Sequence, residues 1–133
     1  MKNYILAAAF VFGLTTIGKS QTCSRKGQFN GGLKGKAEIV INKKGKMILK
    51  LSNDFKTNEG PDLGVYLSKT SKVVEGKSLM VKPLLAFEGG QRYVLKNIDM
   101  NEYNFVVIHC TEHNHHFGSA GLGKAEGESC EVK

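Results

Sequence analysis

The hydrophobic positions of this chain follow a period of two in several short segments. In residues 35–42 (GKAEIVIN), Ala37, Ile39 and Ile41 alternate with polar or exposed positions, as in a strand with one face in a core. A turn sequence, NKKG, separates this segment from residues 47–51 (MILKL). The two segments therefore predict a β-hairpin.

Short segments of the same kind continue along the chain, with glycine, proline, asparagine and aspartate at the breaks. Further strands are predicted at residues 63–68 (LGVYLS), 78–87 (SLMVKPLLAF), 91–96 (QRYVLK) and 117–126 (FGSAGLGKAE). Residues 103–110 (YNFVVIHC) are almost continuously apolar and predict a central strand that is buried on both faces.

No segment has a sustained helical period. The number and the short spacing of the strands predict an all-β fold, namely an antiparallel β-sandwich or partly closed barrel of about seven or eight strands. Residues 21–133 are expected to form this fold as a single domain.

The first twenty residues follow a different pattern. Lys2 precedes an almost wholly apolar stretch, and small residues follow at Gly18 and Ser20. This pattern predicts a signal peptide at residues 1–20, a secreted or periplasmic protein, and no stable membrane insertion after cleavage. Lipid attachment at Cys23 is less favoured, because the two residues before this cysteine are Gln and Thr rather than the small residues of a lipobox.

The net charge changes the picture little. The whole chain carries +7, and removal of residues 1–20 takes away two lysines and no acids, which leaves +5. The excess is spread over lysines at turns and strand faces, and Arg25 and Arg92 are the two arginines. Without a cluster of arginines or interleaved aromatics, we predict no nucleic-acid partner.

The chain has three cysteines, and secretion would expose them to an oxidising compartment. Cys23 and Cys130 lie near the two ends of the mature chain, and chain ends are often close together in a domain. We therefore predict a Cys23–Cys130 disulfide with Cys110 left free. The alternative, Cys110–Cys130, stays open because a sequence does not fix connectivity.

All four histidines lie close to Cys110, at His109, His113, His115 and His116. Cys110, His113 and His115 have the spacing C-x2-H-x-H, and a thiolate with two imidazoles suits zinc or copper. These ligands would all come from one short loop, whereas most sites draw a ligand from a distant element. The open alternatives are an inert, packed Cys110 thiol and a solvated, pH-responsive loop at residues 115–116.

Several ordered stretches resemble the DM-thirteen domain family. They are GPDLGVYLS at residues 60–68, GGQRYVLK at residues 89–96, and YNFVVIHC followed by FGSAGL within residues 103–122. The resemblance implies a small secreted all-β module that takes part in electron transfer at cell surfaces. In this family a cysteine ends the penultimate strand, which maps onto Cys110. The role that the family implies for it is a redox thiol or a ligand to a group such as haem.

The chain departs from the family pattern around this cysteine. His109 stands where family members have an aromatic residue, and His113 and His115 stand at positions that are usually aromatic or aliphatic. The resemblance therefore does not account for the histidines.

These observations lead to one main functional hypothesis. It is a secreted redox or electron-transfer accessory domain that uses Cys110, tuned by His109 and His113, with a haem or copper group and a redox partner protein. The alternative is a non-enzymatic β-sandwich of the cell envelope that binds a metal or another protein through the histidine loop. A third hypothesis is a structural envelope protein with a buried Cys110. No nucleophile elbow or paired carboxylates indicate an enzyme class.

Overall fold

A computed structural model of the protein describes residues 21–127 and 130. Regular secondary structure in this part of the chain consists of eight strands, with no helix, and so no helix that is long and apolar enough to span a membrane. The predicted signal peptide lies outside the described residues. The strands are β1 (Gln21–Gln28), β2 (Lys36–Asn42), β3 (Met47–Leu51), β4 (Leu63–Ser68), β5 (Leu79–Pro83), β6 (Gln91–Leu95), β7 (Phe105–Cys110) and β8 (His115–Gly121).

The strands form two antiparallel four-stranded sheets. The first sheet has the order β1-β2-β3-β6, and the second has the order β5-β4-β7-β8. Their facing sides share one hydrophobic core, to which Ile39 and Leu49 contribute from the first sheet and Val65 and Ile108 from the second. The prediction of an all-β antiparallel sandwich is confirmed.

Two of the predicted elements occupy the positions that their sequence patterns indicate. The hairpin of β2 and β3 pairs Ile39 with Leu49, and its turn uses Gly45 at a φ of 82°, a backbone conformation that glycine adopts without strain. Strand β7 lies between β4 and β8, and five of its six residues are buried. Its unbroken apolar sequence therefore reflects burial on both faces.

Strand β1 is the element that the hydrophobic pattern does not predict. Its sequence, QTCSRKGQ, is polar, but Arg25 is only 7% exposed. The Arg25 guanidinium donates hydrogen bonds to the carbonyl oxygens of Gly123 at 2.7 Å and of Met100 at 3.0 Å, among other oxygens. The backbone ladder to β2 and these tertiary hydrogen bonds, rather than hydrophobic alternation, hold β1 against the rest of the fold.

The two ends of the domain are joined covalently. Cys23 and Cys130 form a disulfide with their Cα atoms 5.0 Å apart and a sequence separation of 107. Cys110 is a free, buried cysteine, so the alternative Cys110–Cys130 pairing is not formed. A bridge that closes so long a loop stabilises the fold by about 4–5 kcal/mol in the chain-entropy model, and by less in most measurements.

Strand β8 begins at His115, two residues before the predicted start of this strand. His115 and His116 therefore belong to a strand and not to a loop. Their backbone pairs with the end of β7, where Cys110 is the partner of His115 and His109 is the partner of His116.

Candidate functional site

The end of β7 places two chemically active side chains on opposite faces of the second sheet. Val106, Ile108 and Cys110 belong to the hydrophobic core between the sheets. His109 lies between two of these core positions, so its side chain points to the outer face, away from the core. The 111–114 turn then leads into β8, so the histidine cluster surrounds one end of this strand pair.

Cys110 is sealed on the core face. Its side chain is 2% exposed, and its Sγ atom donates a hydrogen bond to the carbonyl oxygen of Pro61 at 3.0 Å. The next carbonyl, of Asp62, accepts a hydrogen bond from the Thr111 N–H at 3.0 Å. The backbone of residues 61–62 therefore lies over the thiol and is tied to the residue that follows it.

His109 is held on the outer face by contacts to two residues. Its side chain is 6% exposed, and its ring meets the Tyr66 ring edge-on with the centroids 5.4 Å apart. The Nε2 atom lies 3.1 Å from the Asn114 side-chain oxygen. The Tyr66 hydroxyl is itself 2.6 Å from the Thr111 hydroxyl, so the imidazole sits in an ordered polar setting.

A groove of about 580 Å³ opens beside this histidine. The second sheet forms one side of the groove, and residues 73–78 form the other side. That other side is fastened by the Ser68 hydroxyl, which donates to the Lys72 carbonyl oxygen at 2.8 Å. The groove is lined by Tyr66, Met80 and His109 from the sheet and by Thr111 and Asn114 from the 111–114 turn.

His116 extends this outer-face site onto β8. It is the cross-strand partner of His109, and cross-strand partners project from the same face. The pKa of His116 is lowered from its ordinary value by burial, and further by the nearby charges of Lys72, His109 and His115. The neutral imidazole is thereby favoured at this position.

The other two histidines are exposed. His113 lies in the 111–114 turn, and His115 is exposed although its ring packs edge-on against Phe117 at 5.2 Å. The predicted ligand set of Cys110, His113 and His115 is not assembled, because the thiol faces the core while His113 faces solvent. Within residues 21–127 and 130, no three His, Cys, Asp or Glu side chains are grouped to hold an ion.

A haem or copper group bound to Cys110 does not fit this arrangement. The thiol lies in a packed core with its hydrogen bond already made to Pro61, and His109 projects from the opposite face of the sheet. The Cys110 sulfur is therefore not accessible as a ligand to a haem iron or to a copper ion. The roles predicted for Cys110 and His109 stay predictions, and the structure separates the two side chains.

Comparison with models of protein families matches residues 27–122 to electron transfer DM13. The chain belongs to the electron transfer DM13 family. The match runs from β1 to just past β8 and includes Cys110 and all four histidines, so the resemblance seen in the sequence motifs is confirmed. Both cysteines of the disulfide lie outside the matched residues of this DM13 domain. Neither the curated proteins nor the solved structures give a match.

Sequence reasoning did not single out three residues that shape the outer-face site of this DM13 domain, namely Tyr66, Met80 and Asn114. Tyr66 faces away from the core beside His109. Asn114 has a φ of 50°, which asparagine tolerates better than most residues. Asparagine is common in short turns between strands, so its presence here was a sequence signal for the turn.

Proposed function

We propose that this DM13 domain is a secreted electron-transfer accessory domain that exchanges electrons with a partner protein through Cys110. The observation that carries the proposal is the family match, which covers both sheets and includes Cys110. The two other cysteines lie outside the match and are bonded to each other. Cys110 is therefore the one thiol left for redox chemistry.

The disulfide supports the proposed compartment. Disulfides persist in oxidising environments such as the periplasm and the cell exterior, and Cys23–Cys130 joins both ends of the domain. A signal peptide at residues 1–20 would deliver the chain to such an environment.

The proposed chemistry is thiol–disulfide exchange with a disulfide of the partner. Cys110 gives its proton to solvent, and Sγ attacks one sulfur of that disulfide. A bond forms between the two sulfurs, the partner's own S–S bond breaks, and the second partner sulfur leaves with the electron pair and takes up a proton. One thiol of a reduced dithiol donor then loses its proton and attacks Sγ of Cys110, and the bridged partner sulfur leaves with the electron pair and is protonated. The second donor thiol loses its proton and attacks the donor sulfur that is now bonded to Cys110, which closes a donor disulfide and releases Cys110 to be protonated again. Cys110 thus relays electrons from the donor dithiol to the partner disulfide.

Access to the thiol requires a local movement. In the closed state the Pro61 carbonyl accepts the thiol hydrogen bond, and the Asp62 carbonyl ties the same segment to Thr111. These few contacts belong to residues 58–62, a connection without regular structure. Segments of this kind open at a smaller free-energy cost than core strands, so we propose that the partner reaches Cys110 when residues 58–62 move away.

The test is exchange of the mature chain, residues 21–133, with oxidised glutathione, followed by mass spectrometry. We expect one glutathione adduct per chain at Cys110, an intact Cys23–Cys130 disulfide, and no adduct in Cys110→Ser. Local opening exposes little surface, so the rate should stay nearly constant at low urea concentrations. Replacement of Pro61 by glycine loosens the segment, and we expect the exchange rate to rise.

The contrary result is an adduct rate that climbs with urea in step with global unfolding. In that case Cys110 would be accessible only in the unfolded chain, and the thiol would have no redox role in the folded domain.

A further inference from the structure

Two imidazole nitrogens on the outer face of the second sheet have no hydrogen-bonding partner. They are the Nδ1 atoms of His109 and His116, and both are buried. No other side-chain nitrogen or oxygen in the described part of the chain combines burial with the lack of a partner. Buried polar atoms almost always have one, so an unpartnered atom in a folded protein commonly marks a bound ion or water.

The two nitrogens belong to neighbouring strands. His109 and His116 are backbone partners at the end of the β7–β8 ladder, where the Cβ atoms of opposite residues are about 5 Å apart. An ion bound at about 2.0–2.1 Å by two nitrogens needs those nitrogens roughly 3.3–4.1 Å apart. Two imidazoles that project from one face of a sheet on such a pair of Cβ atoms can span this separation.

The contacts of His109 fix which nitrogen carries its proton. The Asn114 side-chain oxygen, 3.1 Å from Nε2, is an acceptor, so Nε2 carries the hydrogen and donates it. Nδ1 is then left with a free lone pair. Histidines that bind metals usually donate the other ring N–H to an oxygen in this way. The Tyr66 ring further restrains the imidazole in this orientation.

The surroundings restrict the kind of ion. Imidazole nitrogen suits zinc, copper and nickel, but no third His, Cys, Asp or Glu among the described residues joins this pair. The Lys72 ammonium acts on His116 and disfavours a divalent cation more than a monovalent one.

We propose that His109 and His116 bind one copper ion, as Cu(I), through their Nδ1 atoms. The site lies on the opposite face of the sheet from Cys110, so it neither uses the thiol nor depends on the proposed exchange reaction. It also differs from the set of Cys110, His113 and His115, in which the thiol faces the core while His113 is exposed in the turn.

The test is titration of the untagged mature chain with Cu(I) under argon, with ascorbate as reductant and a coloured chelator as competitor. We expect one Cu(I) per chain. His116→Gln removes one of the two ligands, and because loss of a mere supporting contact costs about 10–100-fold in affinity, its loss should exceed about 100-fold. His116 is partly exposed, so this variant should retain the fold, which its thermal melt without copper checks.

The matched control is the double variant His113→Gln/His115→Gln, which removes the two exposed histidines of the same cluster. We expect it, and Cys110→Ser, to bind one Cu(I) with affinity close to that of the unaltered chain. Nitrogen NMR of the imidazoles gives an independent readout, in which copper shifts Nδ1 of His109 and His116 while the His109 Nε2–H is retained.

Three outcomes would overturn the proposal. They are no binding that competes with the chelator, binding that the control double variant abolishes and His116→Gln retains, and binding that is lost in Cys110→Ser. The last would move the ion to the thiol. Failure of the glutathione exchange would leave the copper site untouched, so the two proposals fail independently.

Discussion

Cys110 and His109 are neighbours in sequence and opposites in environment. The Cys110 thiol has its hydrogen bond to Pro61 and is enclosed in the sandwich core. The His109 imidazole has one nitrogen near Asn114 and the other without a partner, beside an open groove. The alternation of a β-strand separates two groups that are one residue apart.

This separation divides the histidine cluster into two sites. A thiolate is stabilised by cations that face it, but His109 projects from the other side of the sheet and His113 is exposed in the turn. The closed state therefore offers no direct contact through which either histidine would tune the thiol. The carbonyls of residues 61–62 contact Cys110 and Thr111, while His109 and His116 form a separate outer-face pair.

The largest expected effect on stability comes from placing a carboxylate on one or the other face of the second sheet. Cys110→Asp would bring a charge into the core next to the Pro61 carbonyl oxygen, at a cost of at least about 3 kcal/mol. His109→Asp would place the same group beside the groove, where water and Asn114 solvate it, at a cost of about 1–2 kcal/mol. Urea unfolding of both variants at pH 7 measures the difference. Equal costs would mean that the two faces are similarly enclosed.

The core face of this site was readable from the sequence. The pattern of residues 103–110 predicted the buried central strand that ends at Cys110, because strand formation and burial depend on local sequence. The predicted partner of Cys23 was also the observed one, since the ends of a small domain tend to meet.

The outer face was not readable in the same way. Its partners come from β4, from β8 and from residues 73–78, and only the pairing of strands brings Tyr66 and His116 to His109. The β7–β8 ladder has a bulge between Ile108 and His109. The bulge changes which β8 residue pairs with His109. Nothing in the local sequence specifies that shift. The polar strand β1 was missed for a related reason, because its anchors are carbonyl oxygens distant in sequence.

A smaller effect tests how firmly the turn holds His109. Asn114 has a φ of 50° and supplies the oxygen near His109 Nε2. Asn114→Gly keeps the backbone conformation and loses the contact, at about 1 kcal/mol. Asn114→Ala loses the contact and adds backbone strain, for a total of about 2 kcal/mol. Thermal unfolding of both variants gives the order. A glycine variant no more stable than the alanine variant would argue against a strained turn.

The smallest effect is the pH dependence that His116 brings to the outer face. Because burial and nearby positive charges lower its pKa in the folded state, the unfolded chain takes up a proton near pH 6.5 while the folded chain does not. The free energy of unfolding should therefore fall as the pH drops below about 6.5. The stability contributed by the neutral His116 is fully present above that pH. Partial solvent exposure keeps it below about 1 kcal/mol.

Urea unfolding at pH 7.5 and pH 5.5, with a chelator present, separates this contribution from that of the exposed histidines. His116→Gln should reduce the loss of stability at low pH, because glutamine has no proton to take up. His113→Gln should leave it unchanged, since His113 is exposed. If the two variants instead respond alike, the outer face does not keep His116 neutral. The contrast between the sealed core face and the polar outer face would then rest on His109 alone.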